Sequence, residues 1–275
     1  MRGGWLSMTT LNMSNPFDIS GKNAIVTGGA MGIGFGIAKR FVWAGANVVI
    51  ADIDAKAAEA AAEKLSGGPG KAVAMQVDIS QPDAGDKMVK KCVDEFGSVD
   101  ILVNNAGIFP NVPMMEMDRE LFEKVLAINL TGLAYASKAA AAQMIAQKTG
   151  GRIINIASID AIHPSAVGLA AYDASKGGVA MFNKAFALEV APYGILVNAV
   201  APGAIATEGV AKGMSGEGPE AERMRQVVNE MTKMIPLQRM GDPDEIATAT
   251  LFLASPAASY MTGEMIVVDG GRLLK

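Results

Sequence analysis

Seven short apolar runs, at 23–27, 46–51, 71–77, 100–103, 151–157, 194–200 and 265–268, punctuate this chain, and segments of helical spacing separate most of them. Such an alternation describes repeated βα units, and the reading is therefore an α/β domain. The helices expected between the runs end at Ala44, cover 55–65, 82–96, 117–147 and 170–192, and continue from the Gly-Asp-Pro turn at 241–243 to Ala254. Most of the runs end in residues suited to meeting a ligand, among them Gly28, Asp52, Asp78, Asn104, Ser158 and Gly203. Open α/β sheets bind their ligands beyond the carboxyl ends of the strands, so the candidate site lies at that edge.

Composition removes several classes of function. Half of the 275 residues are hydrophobic and 19% are charged, which suits one large core covered by helices on both faces of a sheet. A net charge of −4 without a polybasic cluster excludes a nucleic-acid or anionic-membrane partner. Cys92 is the one cysteine, so no internal disulfide forms, and no Cys/His spacing suggests a metal site; a reducing cytoplasm is expected. Residues 1–16 hold one Arg and no sustained apolar core, so they read as a disordered leader, with Met1, Met8 and Met13 as alternative starts. Residues 17–275 then form a single domain.

The first run leads into Thr27-Gly28-Gly29-Ala30-Met31-Gly32-Ile33-Gly34. Residues without a Cβ let a backbone approach a pyrophosphate at the positive end of a helix. The spacing is G-x-x-x-G-x-G, and by itself it serves equally as a tight connection. Asp52 closes the second run at the distance from which a carboxylate reaches an adenosine ribose, or alternatively caps the next helix. No cation neighbours it at Ile53 or Met31 to hold a 2′-phosphate, so NAD is favoured over NADP. Asp78 is either an adenine neighbour or a helix cap with Ser80, and Asn104-Asn105-Ala106-Gly107 either a ligand-facing edge or an ordinary turn. Asn129 lies inside a helical segment, where an asparagine is usually exposed or bonded to its own turn.

Tyr172 and Lys176 are four residues apart on an expected helix and so share one face. An ammonium beside a phenol favours the phenolate, which makes the pair a candidate general acid or base.

Taken in order, Thr27-Gly28-x-x-x-Gly32-x-Gly34, Asp78, Asn104-Asn105-Ala106-Gly107, Asn129, Ser158, Tyr172-x-x-x-Lys176 and Pro202-Gly203-x-x-x-Thr207 resemble the short-chain dehydrogenase/reductases. The resemblance runs from about Phe17 to Arg272. It implies a Rossmann-type, doubly wound sheet of seven parallel strands in a single domain. It also implies that Tyr172 takes the alcohol proton as hydride leaves for NAD, while Ser158 hydrogen-bonds the substrate oxygen. Lys176 would bind the nicotinamide ribose and depress the Tyr172 pKa, and Asn129 would hold a water that passes the proton onward. Cofactor contacts are implied at Thr27, Gly28, Met31, Gly32, Ile33, Gly34, Asp52, Ile53, Asp78, Ile79, Asn105, Ala106, Gly107, Tyr172, Lys176, Pro202, Gly203, Ile205 and Thr207.

The stretch 204–236 resembles the family's substrate lid, and its methionines are read as packing. Asp160 and His163, between Ser158 and Tyr172, are candidate substrate contacts together with Ser158 and Glu208. The segment 158–208 is similar to members acting on sugars, sugar acids or polyols. The expectation is an NAD-dependent oxidoreductase interconverting a secondary alcohol and a ketone or sugar lactone. The alternatives are a 3-oxoacyl thioester or other ketone reductase, and a dinucleotide-sensing scaffold without catalysis. The family resemblance further implies a homotetramer.

Overall fold

The structure, a computed structural model, describes residues 15–275. Of the expected leader, residues 1–14 lie outside the described residues, while Pro16 accepts a hydrogen bond from Ala257 N at 2.9 Å and Phe17 packs against Phe252. Seven parallel strands form one sheet: β1 (Asn23–Thr27), β2 (Asn47–Asp52), β3 (Ala72–Gln76), β4 (Ile101–Asn104), β5 (Gly151–Ile156), β6 (Ile195–Pro202) and β7 (Met265–Val268). Their spatial order is β3-β2-β1-β4-β5-β6-β7. The chain therefore winds outward one way from β1 and the other way from β4, and a crevice opens between these two at the carboxyl edge.

Both faces of the sheet are buried, as the apolar runs without polar alternation require. Within β1, Ala24 and Val26 face a core shared with Ile37 and Phe41 of α1 (Gly32–Trp43) and with Ile246 and Leu253 of α9 (Pro243–Ala254). Ile25, pointing the other way, joins Met88 and Cys92 of α3 (Ala84–Phe96) and Met144 of α5 (Leu133–Gln147). The period of two along the strand thus builds two cores, and each fully buried Ile or Phe contributes about 1.5–3 kcal/mol. Helix α2 (Ala55–Lys64) follows β2, and its N-terminus is capped by Asp54, whose side chain accepts from Ala57 N.

The segment expected as one helix over 117–147 is interrupted. Helix α4 (Arg119–Leu126) passes into a π-helical turn, Ala127–Gly132, before α5 begins. The extra residue per turn rotates Asn129 inward, and it is completely buried rather than exposed. Arg119–Gln147 is long and apolar enough to cross a membrane by length and composition, with a mean hydropathy of 1.2 over its most apolar window. Packing of α5 on α3, β4 and β5 accounts for its apolar face.

Helix α6 (Ala170–Val190) carries Tyr172 and Lys176 past the ends of β5 and β6. Beyond β6, α7 (Glu208–Ser215) and α8 (Pro219–Lys233) pack on each other and present a largely solvated surface, with Met224, Met231 and Met234 partly exposed.

Candidate active site

The β1–α1 turn and the end of β4 are locked together across the crevice. Thr27 Oγ1 accepts from the backbone N–H groups of Asn105 at 2.9 Å and Ala106 at 3.0 Å. Asn105 Nδ2 returns two bonds, to the carbonyls of Thr27 at 3.0 Å and Gly28 at 2.9 Å. Gly28 has φ +60°, and a Cβ there would stand 2.9 Å from Ala106 Cα, so both backbone conformation and space demand glycine. Gly34 is needed for a different reason: its Cβ would meet the Gly28 carbonyl at 2.0 Å, closing the helix onto its own turn. These residues shape a cradle and tie it to the neighbouring strand.

Does that cradle fit a dinucleotide? Helix α1 begins without a side-chain cap and without an acidic residue in its first turn, so its positive end and unpaired N–H groups are open to an anion. Met31 is half-exposed at its N-cap, and Gly32 faces Thr207, whose Cγ2 would be 3.3 Å from a Cβ. Asp52 is buried; its Oδ2 accepts from Ala30 N at 3.1 Å and its Oδ1 from Asp54 N at 3.1 Å. Each oxygen keeps a further lone pair, and helix capping belongs to Asp54, not to Asp52. Ile53 is exposed beside Asp78 along a cavity of about 290 Å³. The residues present therefore fit a dinucleotide: the α1 turn for the pyrophosphate, Asp52 for a ribose, and the Ile53–Asp78 cavity for the adenine.

Asp78 does not cap the following helix, which starts after Asp83. It is instead held by Ser80 through both N–H and hydroxyl and by Gln81, and the Ser80 bonds pull its carboxyl below the usual range. Ile79 points into the core, and its carbonyl packs against Gly132, apart from the cavity its neighbour lines. At the other end, Pro202 finishes β6 and Gly203 follows it, where a Cβ would strike Asp269 Cα at 2.8 Å. Ile205 pairs with Gly241, and Thr207 sits at the N-cap of α7.

The second group of residues converges on Tyr172. Ser158 ends the run after β5; its hydroxyl donates to Asp160 Oδ2 at 2.8 Å, accepts from Asp160 N at 3.1 Å, and lies beside the Tyr172 phenol. Asp160 Oδ1 accepts from Ser165 N at 2.9 Å. Phe109 packs edge-on against Tyr172 with ring centres 6.1 Å apart, although it is itself 71% exposed. Lys176 is buried, donates to the Ile156 carbonyl at 2.7 Å, and lies 5.7 Å from the centre of the Tyr172 ring. A Cβ on Gly107 would be 3.2 Å from Asn129 Oδ1 and 3.8 Å from Lys176 Nζ, so Gly107 joins the two groups into one site.

Two expectations about these residues change. Tyr172 is pushed up to about 12, not depressed: removal from water dominates, the neighbouring Ser158 hydroxyl opposes it, and the charges of Asp160 and Asp173 add to it. Burial brings Lys176 down to about 8, which weakens it as a standing positive charge. Asn129 is a strut: Oδ1 accepts from Ile108 N at 2.8 Å, and Nδ2 donates to Ile108 O at 2.8 Å and Ser175 Oγ at 3.0 Å. Both amide protons are committed, and a water would have only the remaining Oδ1 lone pair of this side chain. His163 and Glu208 are exposed, on the loop after Ser158 and at the start of α7.

The sequence reading missed four participants. Ser175 braces Asn129 while donating to the Tyr172 carbonyl at 2.6 Å; Asp173 has a buried Oδ1 without a partner. Phe109 was hidden in a loop, and Asn155 was hidden in a strand. Asn155 links Asn104 to Asn183 by bonds of 2.9 and 3.1 Å, a buried amide chain beneath the site. Only the Ser175 and Asp173 positions, flanked by Tyr172 and Lys176, carried a signal in the sequence.

A family model described as enoyl-(acyl carrier protein) reductase matches residues 28–272. The chain belongs to the short-chain dehydrogenase/reductase family. Among its relatives in this family, 3-oxoacyl-(acyl-carrier-protein) reductase FabG of Chlamydia muridarum is 42% identical over 91% of this chain and 96% of its own length. L-rhamnose 1-dehydrogenase (NAD(P)(+)) of Azotobacter vinelandii is 40% identical, with the same coverage of 91% and 96%. A crystal structure from Agrobacterium tumefaciens, described as a 2-deoxy-D-gluconate 3-dehydrogenase with bound NADP, is 33% identical. It superposes with a TM-score of 0.83 over 95% of this chain and 100% of that one. Members of this short-chain dehydrogenase/reductase family use nicotinamide dinucleotides, and relatives of this chain include both sugar dehydrogenases and ketoacyl reductases.

Proposed function

We propose that this oxidoreductase is an NAD-dependent dehydrogenase that interconverts a secondary alcohol and a ketone, or a sugar and its lactone, on an uncharged sugar or polyol. The observation that carries this reading is the acceptor-rich wall beside Tyr172. Asp160 is bonded to Ser158, and Asp173 exerts its charge on the same phenol. A wall of carboxylates accepts protons from hydroxyl groups and repels a carboxylate or phosphate on the substrate. Neutral polyols are accordingly favoured over the sugar acids that the sequence reading also admitted. The sugar named for the Azotobacter relative supports the same class.

A nicotinamide cofactor bound in the cradle supplies or accepts the hydride. Tyr172 moves the proton at the reacting oxygen, and Ser158 donates to that oxygen and stabilises charge developing on it. Lys176 has two protons beyond the one given to Ile156, enough to hold a ribose diol, while Asn129 fixes the backbone at Ile108 beside them. Asp52 favours NAD, since a buried carboxylate beside an exposed Ile53 offers a 2′-phosphate repulsion and no cation. The region 204–236 serves as the lid. Exposed Tyr135 on α5, with Met181 and Leu188 on α6, supports burial of these helices in a homotetramer.

One observation favours a second reading. A phenol near 12 is a proton donor at neutral pH, which suits reduction of a ketone such as a 3-oxoacyl thioester, the substrate named for the Chlamydia relative. Initial rates of NADH formation on sugars, polyols, sugar acids and simple secondary alcohols, with NADP in parallel, separate the two. Activity on a neutral polyhydroxylated compound with NAD supports the first. Silence there, with NADPH consumed on 3-oxoacyl thioesters, replaces it with the second.

A further inference from the structure

The Ser158 hydroxyl has one proton and two lone pairs, and Asp160 takes the proton and one of the lone pairs. The proton goes to Asp160 Oδ2 at 2.8 Å, and one lone pair takes Asp160 N at 3.1 Å. Asp160 Oδ2 is the acceptor in this pair, so it draws the Ser158 proton away from the position of a reacting oxygen. Ser158 cannot donate to substrate without giving up that bond. Giving it up leaves Asp160, which is partly buried and anchored through Oδ1 to Ser165 N at 2.9 Å, short of a donor beside Tyr172. An acceptor stripped of its partner in such a place is costly.

We propose that Asp160 is the specificity-determining residue of this site, reading a second hydroxyl on the carbon next to the reacting one. That hydroxyl donates to Asp160 in place of Ser158, and the released Ser158 proton turns to the reacting oxygen. The exchange trades one hydrogen bond for two: Ser158–Asp160 is lost, substrate–Asp160 and Ser158–substrate are gained, and no covalent bond to hydrogen is broken. A substrate without the neighbouring hydroxyl must either leave Asp160 unpaired or forgo the Ser158 bond. The site thus selects vicinal diols and their α-hydroxy ketones over simple alcohols and ketones. The inference rests on the polyol reading above and narrows it.

The test compares kcat/KM on matched pairs: D-glucose and L-rhamnose against their 2-deoxy analogues, and cyclohexane-1,2-diol against cyclohexanol, with 2-hydroxycyclohexanone against cyclohexanone for reduction. Wild type is expected to favour the hydroxylated member by at least about tenfold. Asp160→Ala should bring the ratio to within about twofold of one, and Asp160→Asn should fall between. Retained NADH fluorescence on binding shows that each variant is folded, and a purely structural defect would slow both members of a pair equally. A ratio near one in wild type, or a ratio unchanged in both variants, overturns the inference while leaving the polyol reading in place. Turnover confined to 3-oxoacyl thioesters, or no turnover of any pair in either direction, overturns both.

Discussion

Lys176 Nζ stands 5.7 Å from the centre of the Tyr172 ring while donating to the Ile156 carbonyl at 2.7 Å. The ammonium is therefore held by the end of β5 and stacked near the phenol without bonding to it. Its burial is costly: the group falls from 10.5 to about 8, because desolvation penalises the charged form. A folded pKa below the unfolded one means that the penalty is fully present below pH 8 and is relieved as pH rises from about 8 to 10.5. Lys176→Met keeps the stem, removes the charge and leaves one carbonyl unpaired. At pH 7 the variant should melt about 2–4 °C higher than wild type while losing turnover, and the gap should shrink between pH 8 and 10.5. A variant that melts lower at pH 7, with a pH-independent gap, would show that the Ile156 bond outweighs the buried charge.

Tyr172 is the proposed proton carrier, and its removal should act on chemistry alone. Tyr172→Phe keeps the edge contact with Phe109 and the packing of α6. Turnover should fall by roughly 10²–10⁴-fold, the ordinary worth of a positioned acid or base, with NADH binding within twofold of wild type. A rate that stays within tenfold would remove Tyr172 from the mechanism.

At the other end of the cradle, Asp52 sets the cofactor. Its carboxylate accepts from Ala30 N and so also holds the glycine-rich turn in place. Wild type should prefer NAD over NADP by at least about tenfold in kcat/KM. Substituting Asp52→Ser together with Ile53→Arg removes the repulsion and supplies a guanidinium for the 2′-phosphate, and should reverse the preference by about 10²-fold or more. Equal use of both cofactors by wild type would sink the assignment of Asp52 as a discriminator.

Much of this architecture is legible in the chain because it is written locally. The five inner strands are largely buried on both faces, so their composition alone marks them, and the glycine-rich turn and the Tyr172–Lys176 spacing sit within single βα units. What was not legible is what depends on distant partners. The helical setting of Asn129 reads as exposed or bonded to its own turn because no local pattern announces a π turn, and its burial follows from Ile108 and Ser175, 21 and 46 residues away. The Asn104–Asn155–Asn183 chain was invisible for the same reason: each member looks like an ordinary polar residue until three elements meet. The direction of the Tyr172 shift was misjudged because helix spacing reports the nearby ammonium but not the burial of the phenol or the charge of Asp160 from another loop.

Asp173, next to Tyr172, offers a separate measure of that charge balance. Its Oδ1 is buried without a partner, and burial together with the Asp160 charge raises its carboxyl above the usual value of 3.8. A raised carboxylate destabilises the fold once ionised, and the penalty develops as pH climbs from 3.8 through the folded value. Asp173→Asn removes it, so the variant should melt higher than wild type at pH 7 and lose that advantage as pH falls through the carboxylate range. The same substitution takes a negative charge from beside the phenol, and a phenolate is then easier to form. Alcohol oxidation needs Tyr172 to accept a proton, so its rate climbs with pH toward the phenol's pKa, and in Asp173→Asn that climb should move to lower pH. A limb that stays in place or moves to higher pH, measured with saturating cofactor and buffered at constant ionic strength, would mean that the Asp173 charge does not reach Tyr172.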